Sequence, residues 1–197
     1  NAPTAEAALA AHPNLLVIAP CGVFAAPYPG TVPSNLVICG ATDKTNLNTS
    51  RYDDWKDDGG FGNEGSREGP DISVVAPGVG IITTDLTGAP PYILNAQGTS
   101  IAAAHVAGLA ALVRSKHATL VTGAAVRRRL EQTAARTGQF DYRTTGRSGP
   151  WNQFMGFGRI HASAALVSEL DVDTSDPNRA DVYIRDNPAD AGGDGLC

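Results

Sequence analysis

Gly98-Thr99-Ser100-Ile101-Ala102-Ala103-Ala104-His105-Val106-Ala107-Gly108 is the stretch on which the reading of this chain turns. A serine follows Gly-Thr and opens a run of small and apolar residues that continues through Leu109, Leu112 and Val113. The alanines are strong helix formers with almost no side-chain bulk. A helix without a polar face belongs in the middle of a domain, so the run predicts a buried central helix over about 99–116. Glycine ahead of it permits a tight turn, and the first turn of the helix leaves backbone N–H groups unpaired beside Ser100. Those donors favour developing negative charge, which makes the Ser100 hydroxyl a candidate nucleophile. The alternative is a serine that only caps a helix.

Working outward, further blocks fall in order along the chain. Leu15-Leu16-Val17-Ile18-Ala19 reads as a strand, and Asn35-Leu36-Val37-Ile38-Cys39-Gly40 as another, after Tyr28-Pro29. Pro70-Asp71-Ile72-Ser73-Val74-Val75-Ala76-Pro77-Gly78 follows, and Gly156-Phe157-Gly158-Arg159-Ile160 with Ala162 closes the series. Together with Gly98-Thr99-Ser100, these five blocks resemble the subtilisin-like serine proteases (subtilases) over residues 1–168. The resemblance implies an α/β, three-layer fold with a mostly parallel sheet and a central helix that starts at the nucleophile. It implies hydrolysis of peptide bonds through an acyl-enzyme on Ser100, with peptides or proteins as substrates. An extracellular or cell-envelope location is implied by the same resemblance, as is a cis bond at Tyr28-Pro29.

Two departures from the family pattern matter. In subtilases the triad runs Asp, then His, then Ser, so both partners belong upstream of Ser100. Neither Asp-Ser/Thr-Gly nor His-Gly-Thr occurs here, and the one upstream histidine, His12, matches no motif. His105 stands about 7.5 Å further along the helix and about 140° round it, and is expected to be a hydrogen-bonded core histidine. His117 is expected to be exposed, and His161 begins the last helix. The expectation is that the aspartate, the histidine and the first strands of the sheet lie in an N-terminal half of the domain outside this sequence. That half is the partner required for activity, and without it apolar sheet and helix faces stand open. The second departure is Val23, which takes the place of the family's oxyanion asparagine after Ala19-Pro20-Cys21-Gly22. Valine has no side-chain donor, and loss of this donor in subtilisin costs roughly 10²–10³ in turnover. A non-catalytic, peptide-binding member of the family is therefore the competing reading.

Composition fits a folded α/β domain: 42% of the 197 residues are hydrophobic, and 22 glycines and 13 prolines supply turns. Formal charge is −5, concentrated in residues 169–197, which hold eight of the 20 acids and two of the 15 bases. The remainder is nearly neutral, without the basic stripe that nucleic-acid binding requires, and no apolar run is long enough to span a membrane. Arg127-Arg128-Arg129 reads as a solvated face or local ion pairs. Ser66-Arg67 and Ser148-Gly149 are loop serines without a base. Cys21 and Cys39 fall at matching ends of neighbouring strands, where a disulfide or buried free thiols are both open, the thiols favoured because cysteine packs as a small hydrophobe.

Helices are predicted at about 3–12, 99–116, 122–137 and 161–168. Strands are predicted at 15–19, 36–40, 72–75 and in a hairpin around 79–84 and 91–96. Thr42 to Pro70 reads as a surface loop whose acids, Asp53-Asp54 and Asp57-Asp58, are either solvated or a calcium site of the kind subtilases often carry. Residues 169–197 read as an acidic linker entering a further module, with an incomplete calcium-loop pattern at Asp171 to Asp176.

Overall fold

A computed structural model describes residues 5–22, 31–43, 55–56, 63–64, 66–86, 91–137, 140–142, 144–167, 171–172 and 182–183. Three strands, β1 (Val17–Pro20), β2 (Leu36–Asp43) and β3 (Val74–Val79), form a parallel sheet in the order β1-β2-β3. Val17 lies opposite Leu36 and Cys39 opposite Val74, with a register shift between Thr42 and Asp43. β2 is buried at every position, as a central parallel strand must be. Gly158 to Ile160 runs along the far side of β3: Val75 N donates to Gly158 O at 3.0 Å and Ile160 N to Val75 O at 2.9 Å. The outer edge of β1 has no strand partner among the described residues.

Alternation along the strands divides the core in two. Val37, Cys39, Ala41, Val74 and Ala76 face α2 (Thr99–Lys116) and α3 (Gly123–Gln132). Leu36, Ile38, Ile72 and Val75 face the other way, onto Leu9 of α1 (Ala5–Ala11) and onto Met155. Cys21 packs with this second group, so Cys21 and Cys39 sit on opposite faces and both are free thiols. Of the two alternatives open in the sequence, the structure holds the thiols.

The central helix is buried on one side. Ala102, Val106, Leu109 and Val113 lie against the sheet, while Ala104, Ala107, Gly108, Ala111 and Leu112 are exposed although they are equally apolar. Its sequence lacks a polar face, yet the described residues cover only one side of it.

α3 starts on a Thr122 cap, whose hydroxyl accepts from Ala125 N at 3.1 Å. Gly123 is required there, since a Cβ would lie 2.2 Å from Leu15 O. The helix ends at Gln132, earlier than 137, because Ala135 pairs with Arg159 instead: Ala135 N reaches Arg159 O at 2.7 Å and Arg159 N reaches Ala135 O at 2.9 Å. Arg127 is not on a solvated face. It is buried and bonded to Glu131 at 2.8 Å, to Ser73 Oγ at 3.1 Å and to Pro33 O at 2.6 Å, so the local ion pair holds for Arg127 while Arg128 next to it is exposed.

The hairpin of β4 (Ile81–Thr84) and β5 (Tyr92–Ala96) is where periodicity puts it. A second hairpin, β6 (Thr144–Gly146) and β7 (Gly149–Trp151), was not expected. Its turn is tied down by Ser148, which donates to Glu131 Oε2 at 2.6 Å, and by Arg147, which pairs with Glu131 Oε1. The last helix, α4 (Ala162–Leu166), is capped by His161. No helix among the described residues is long and apolar enough to cross a membrane.

Candidate active site

The C-terminal ends of β1 and β3 meet the start of α2, and Ser100 stands at that junction. Gly98 caps the helix at φ 144°, a region that only glycine adopts without strain. Its N–H donates to Gly78 O at 2.8 Å, and a Cβ on Gly78 would lie 2.7 Å from Ala41 Cβ and 2.8 Å from Gly98 O. Two glycines therefore let the turn before Ser100 sit directly on β3. Thr99 is buried and Ser100 is exposed. No side chain caps α2, and Gly98 O accepts from Ile101 N at 3.2 Å and from Ala102 N at 3.4 Å in its first turn. The Thr99 hydroxyl accepts from Gly22 N at 3.2 Å, which joins the exit of β1 to the residue next to Ser100.

None of the four histidines meets Ser100. His12 is exposed and precedes β1, at the opposite end of the strand from Gly22. His105 is also exposed, contrary to the expected core position: its Nδ1 donates to Ile101 O at 3.1 Å, and the ring lines an open groove beside β4. It lies on the face of α2 that the described residues leave uncovered. His117 is half-buried rather than exposed, because its Nε2 donates to Ala165 O at 3.0 Å. His161 accepts from Ala164 N at 3.2 Å as the cap of α4. Among the described residues no side chain hydrogen-bonds the Ser100 hydroxyl, and no group of three or more His, Cys, Asp or Glu is placed to hold a metal ion. Val23, Tyr28-Pro29, the acids at 53, 54, 57 and 58, and nearly all of 169–197 lie outside the described residues.

Sequence reasoning passed over Arg67. It is buried with Asp71 in a two-pronged ion pair, Nη1 to Oδ1 at 2.7 Å and Nη2 to Oδ2 at 2.6 Å. Its Nε donates to Cys21 O at 2.9 Å, at the exit of β1. The spacing of four between Arg67 and Asp71 lies across a Gly-Pro turn, so no helical pattern signals the pair. Burial pushes the Cys21 thiol up, with Ser66 at 3.4 Å pulling it partly back. Cys39, fully buried, is pushed up further by the same cause.

The sequence pattern of the subtilase family matches residues 25–158. Subtilisin E of Bacillus subtilis strain 168 is 41% identical over 115 residues, covering 58% of this chain and 25% of that protein. A subtilisin-like protease of Coccidioides posadasii is 35% identical over 106 residues, 54% of this chain and 23% of its own length. The chain thus spans about a quarter of the length of these relatives. Among solved structures it is similar to the serine protease MycP1, an essential component of the type VII (ESX-1) secretion system. The TM-score is 0.51 at 24% identity, over 78% of this chain and 43% of that one. The prenylagaramide maturation protease PagA gives a TM-score of 0.52 at 20% identity, over 78% of this chain and 50% of its own. At these identities the structural likeness speaks for the fold. With the family pattern covering β2, β3, the Gly98-Thr99-Ser100 turn and the closing glycines, the chain belongs to the subtilase family.

Proposed function

We propose that this chain carries the nucleophile portion of a serine endopeptidase. Ser100 Oγ attacks the carbonyl carbon of the scissile bond and gives its proton to an imidazole supplied from outside residues 1–197, held by an aspartate from the same segment. The oxyanion of the tetrahedral intermediate takes the backbone N–H of Ser100. The leaving amine then collects the proton, and water hydrolyses the acyl-enzyme. Residues 1–168 form this part of the catalytic domain, and 169–197 lead into a further module. Substrate lies extended as an added strand against a sheet edge, with side chains in alternating pockets. An extracellular or cell-envelope site of action follows from family resemblance.

The observation that carries this reading is the exposed Ser100 on the first turn of α2, with Gly98, Gly78 and Thr99 fixing that turn to two strands. Peptidase assays of the full-length chain test it: activity is expected in the wild type and lost in Ser100→Ala. Activity undiminished by that substitution would sink the assignment. The competing reading, a peptide-binding member without catalysis, is favoured by Val23, which lacks the oxyanion side-chain donor. It predicts peptide binding without turnover in the full-length chain.

A further inference from the structure

We propose that Arg67 is a positioning residue of this site: its guanidinium, held by Asp71, fixes the exit of β1 against the Thr99-Ser100 turn. The inference rests on the reading of Ser100 as nucleophile. Cys21 and Gly22 form that exit, and all four of their backbone polar atoms are engaged. Cys21 N donates to Cys39 O at 2.9 Å and Gly22 N to Thr99 Oγ1 at 3.2 Å. Cys21 O accepts from Arg67 Nε at 2.9 Å, and Gly22 O accepts from Arg67 N at 3.1 Å. One residue thus satisfies both carbonyls, while the two amides tie the exit to β2 and to the neighbour of Ser100.

The chemistry of the fork explains why arginine stands here. Two of its nitrogens face the Asp71 carboxylate in parallel and Nε remains for the carbonyl; a lysine ammonium cannot serve both in fixed directions. Gly69, at φ 147°, lets the chain turn tightly between the partners: a Cβ there would lie 3.0 Å from Arg67 Nη1 and 3.2 Å from Asp71 Oδ1. The pair is nearly dry, at 6% and 5% exposure, so it holds a rigid geometry that salt screens little. Gly22 needs such restraint. It sits at φ 80° with none of the described residues within 4 Å of a Cβ position, so among them hydrogen bonds rather than side-chain packing hold it. Placement of donors around a tetrahedral intermediate is demanding, and a displacement of about 1 Å costs on the order of 10²-fold in rate.

The test uses the full-length chain. Removing Arg67 alone would strand a buried carboxylate, so the main variant is Arg67→Met/Asp71→Leu, which replaces the pair with apolar side chains of similar length. Arg67→Lys keeps a cation beside Asp71 and loses the fork. Two readouts are taken on folded protein: the kcat and KM split, and hydrogen exchange at the Cys21 and Gly22 amides. We expect kcat to fall by about tenfold or more with KM changed by less than about twofold, and Gly22 to lose protection, in both variants. If Ser100→Ala abolishes activity while the folded double variant keeps wild-type kcat and protection, Arg67 has no positioning role and the nucleophile stands. If activity survives Ser100→Ala, the nucleophile reading fails and the Arg67 role fails with it. If the double variant does not fold, Arg67→Lys decides by the same readouts.

Discussion

In the function proposed above, Val23 is the residue that sets how strongly the oxyanion is held. Gly22 N donates to Thr99 Oγ1, and Val23 is the next residue in sequence, outside the described residues. In the proposed mechanism a valine in the asparagine's place would leave the oxyanion to backbone donors. Val23→Asn is expected to raise kcat of the full-length chain by about tenfold or more with KM little changed, measured on a chromogenic peptide. An unchanged kcat would mean that the loop takes another course from that of its relatives. Gly156 poses a simpler question of space. It stands at φ 61°, and a Cβ would lie 2.3 Å from Ser73 O. Gly156→Ala is therefore expected to destabilise the fold by more than about 1 kcal/mol in urea unfolding, against near-neutrality if the turn could relax. The thiols give a third outcome at this scale. With both raised by burial and on opposite faces, Cys21 should alkylate more slowly than a free cysteine at pH 8, and Cys39 should not react until the protein unfolds. A mass spectrum showing a Cys21–Cys39 bond would contradict the sheet register.

Elements with a strong period were legible in the sequence, and those held by isolated long-range contacts were not. β2, α2 and the β4–β5 hairpin announce themselves through apolar runs, alanine content and turn residues. The β6–β7 hairpin has three-residue strands, too short for a pattern, and it exists because Ser148 and Arg147 meet Glu131 on α3 while Trp151 Nε1 donates to Ile72 O at 2.9 Å. Arg127 and Glu131 are one helical turn apart, so their pairing was legible but its burial was not, whereas the Arg67–Asp71 pair across a Gly-Pro turn left no local pattern. At the site, Ser100 and its turn were readable, since glycine spacing and helix start are local. The bond from Gly22 to Thr99 spans 77 residues and leaves no mark in either segment. The α3 network makes a prediction of its own. Arg127→Met leaves Glu131 short of a buried partner and is expected to cost about 3–5 kcal/mol in urea unfolding. Adding Glu131→Leu should recover much of that loss. Equal stability of the single variant and the wild type would show that Arg147 and Ser148 satisfy the carboxylate without Arg127.

Across the whole molecule, the described surface is apolar where a cover would fit. Ile82 is 64% exposed, Leu94 68% and Leu112 55%, and an open groove of about 670 Å³ runs between α2 and β4. Among the described residues the outer edge of β1 also has no strand partner. Apolar patches of this kind mark an interaction face or an aggregation hazard. The isolated 197-residue chain is therefore expected to bind an apolar dye such as anilinonaphthalene sulfonate and to self-associate in sedimentation. A monodisperse monomer without dye binding would argue that it is self-sufficient. The central proposal is that Ser100 is a nucleophile whose base is supplied from outside residues 1–197. Its most direct test is to treat the full-length chain and the isolated chain with a fluorophosphonate and to map any adduct by peptide mass spectrometry. The expected result is one adduct on Ser100 in the full-length chain and none in the isolated one. An adduct on another residue, or no adduct in the full-length chain, would contradict it.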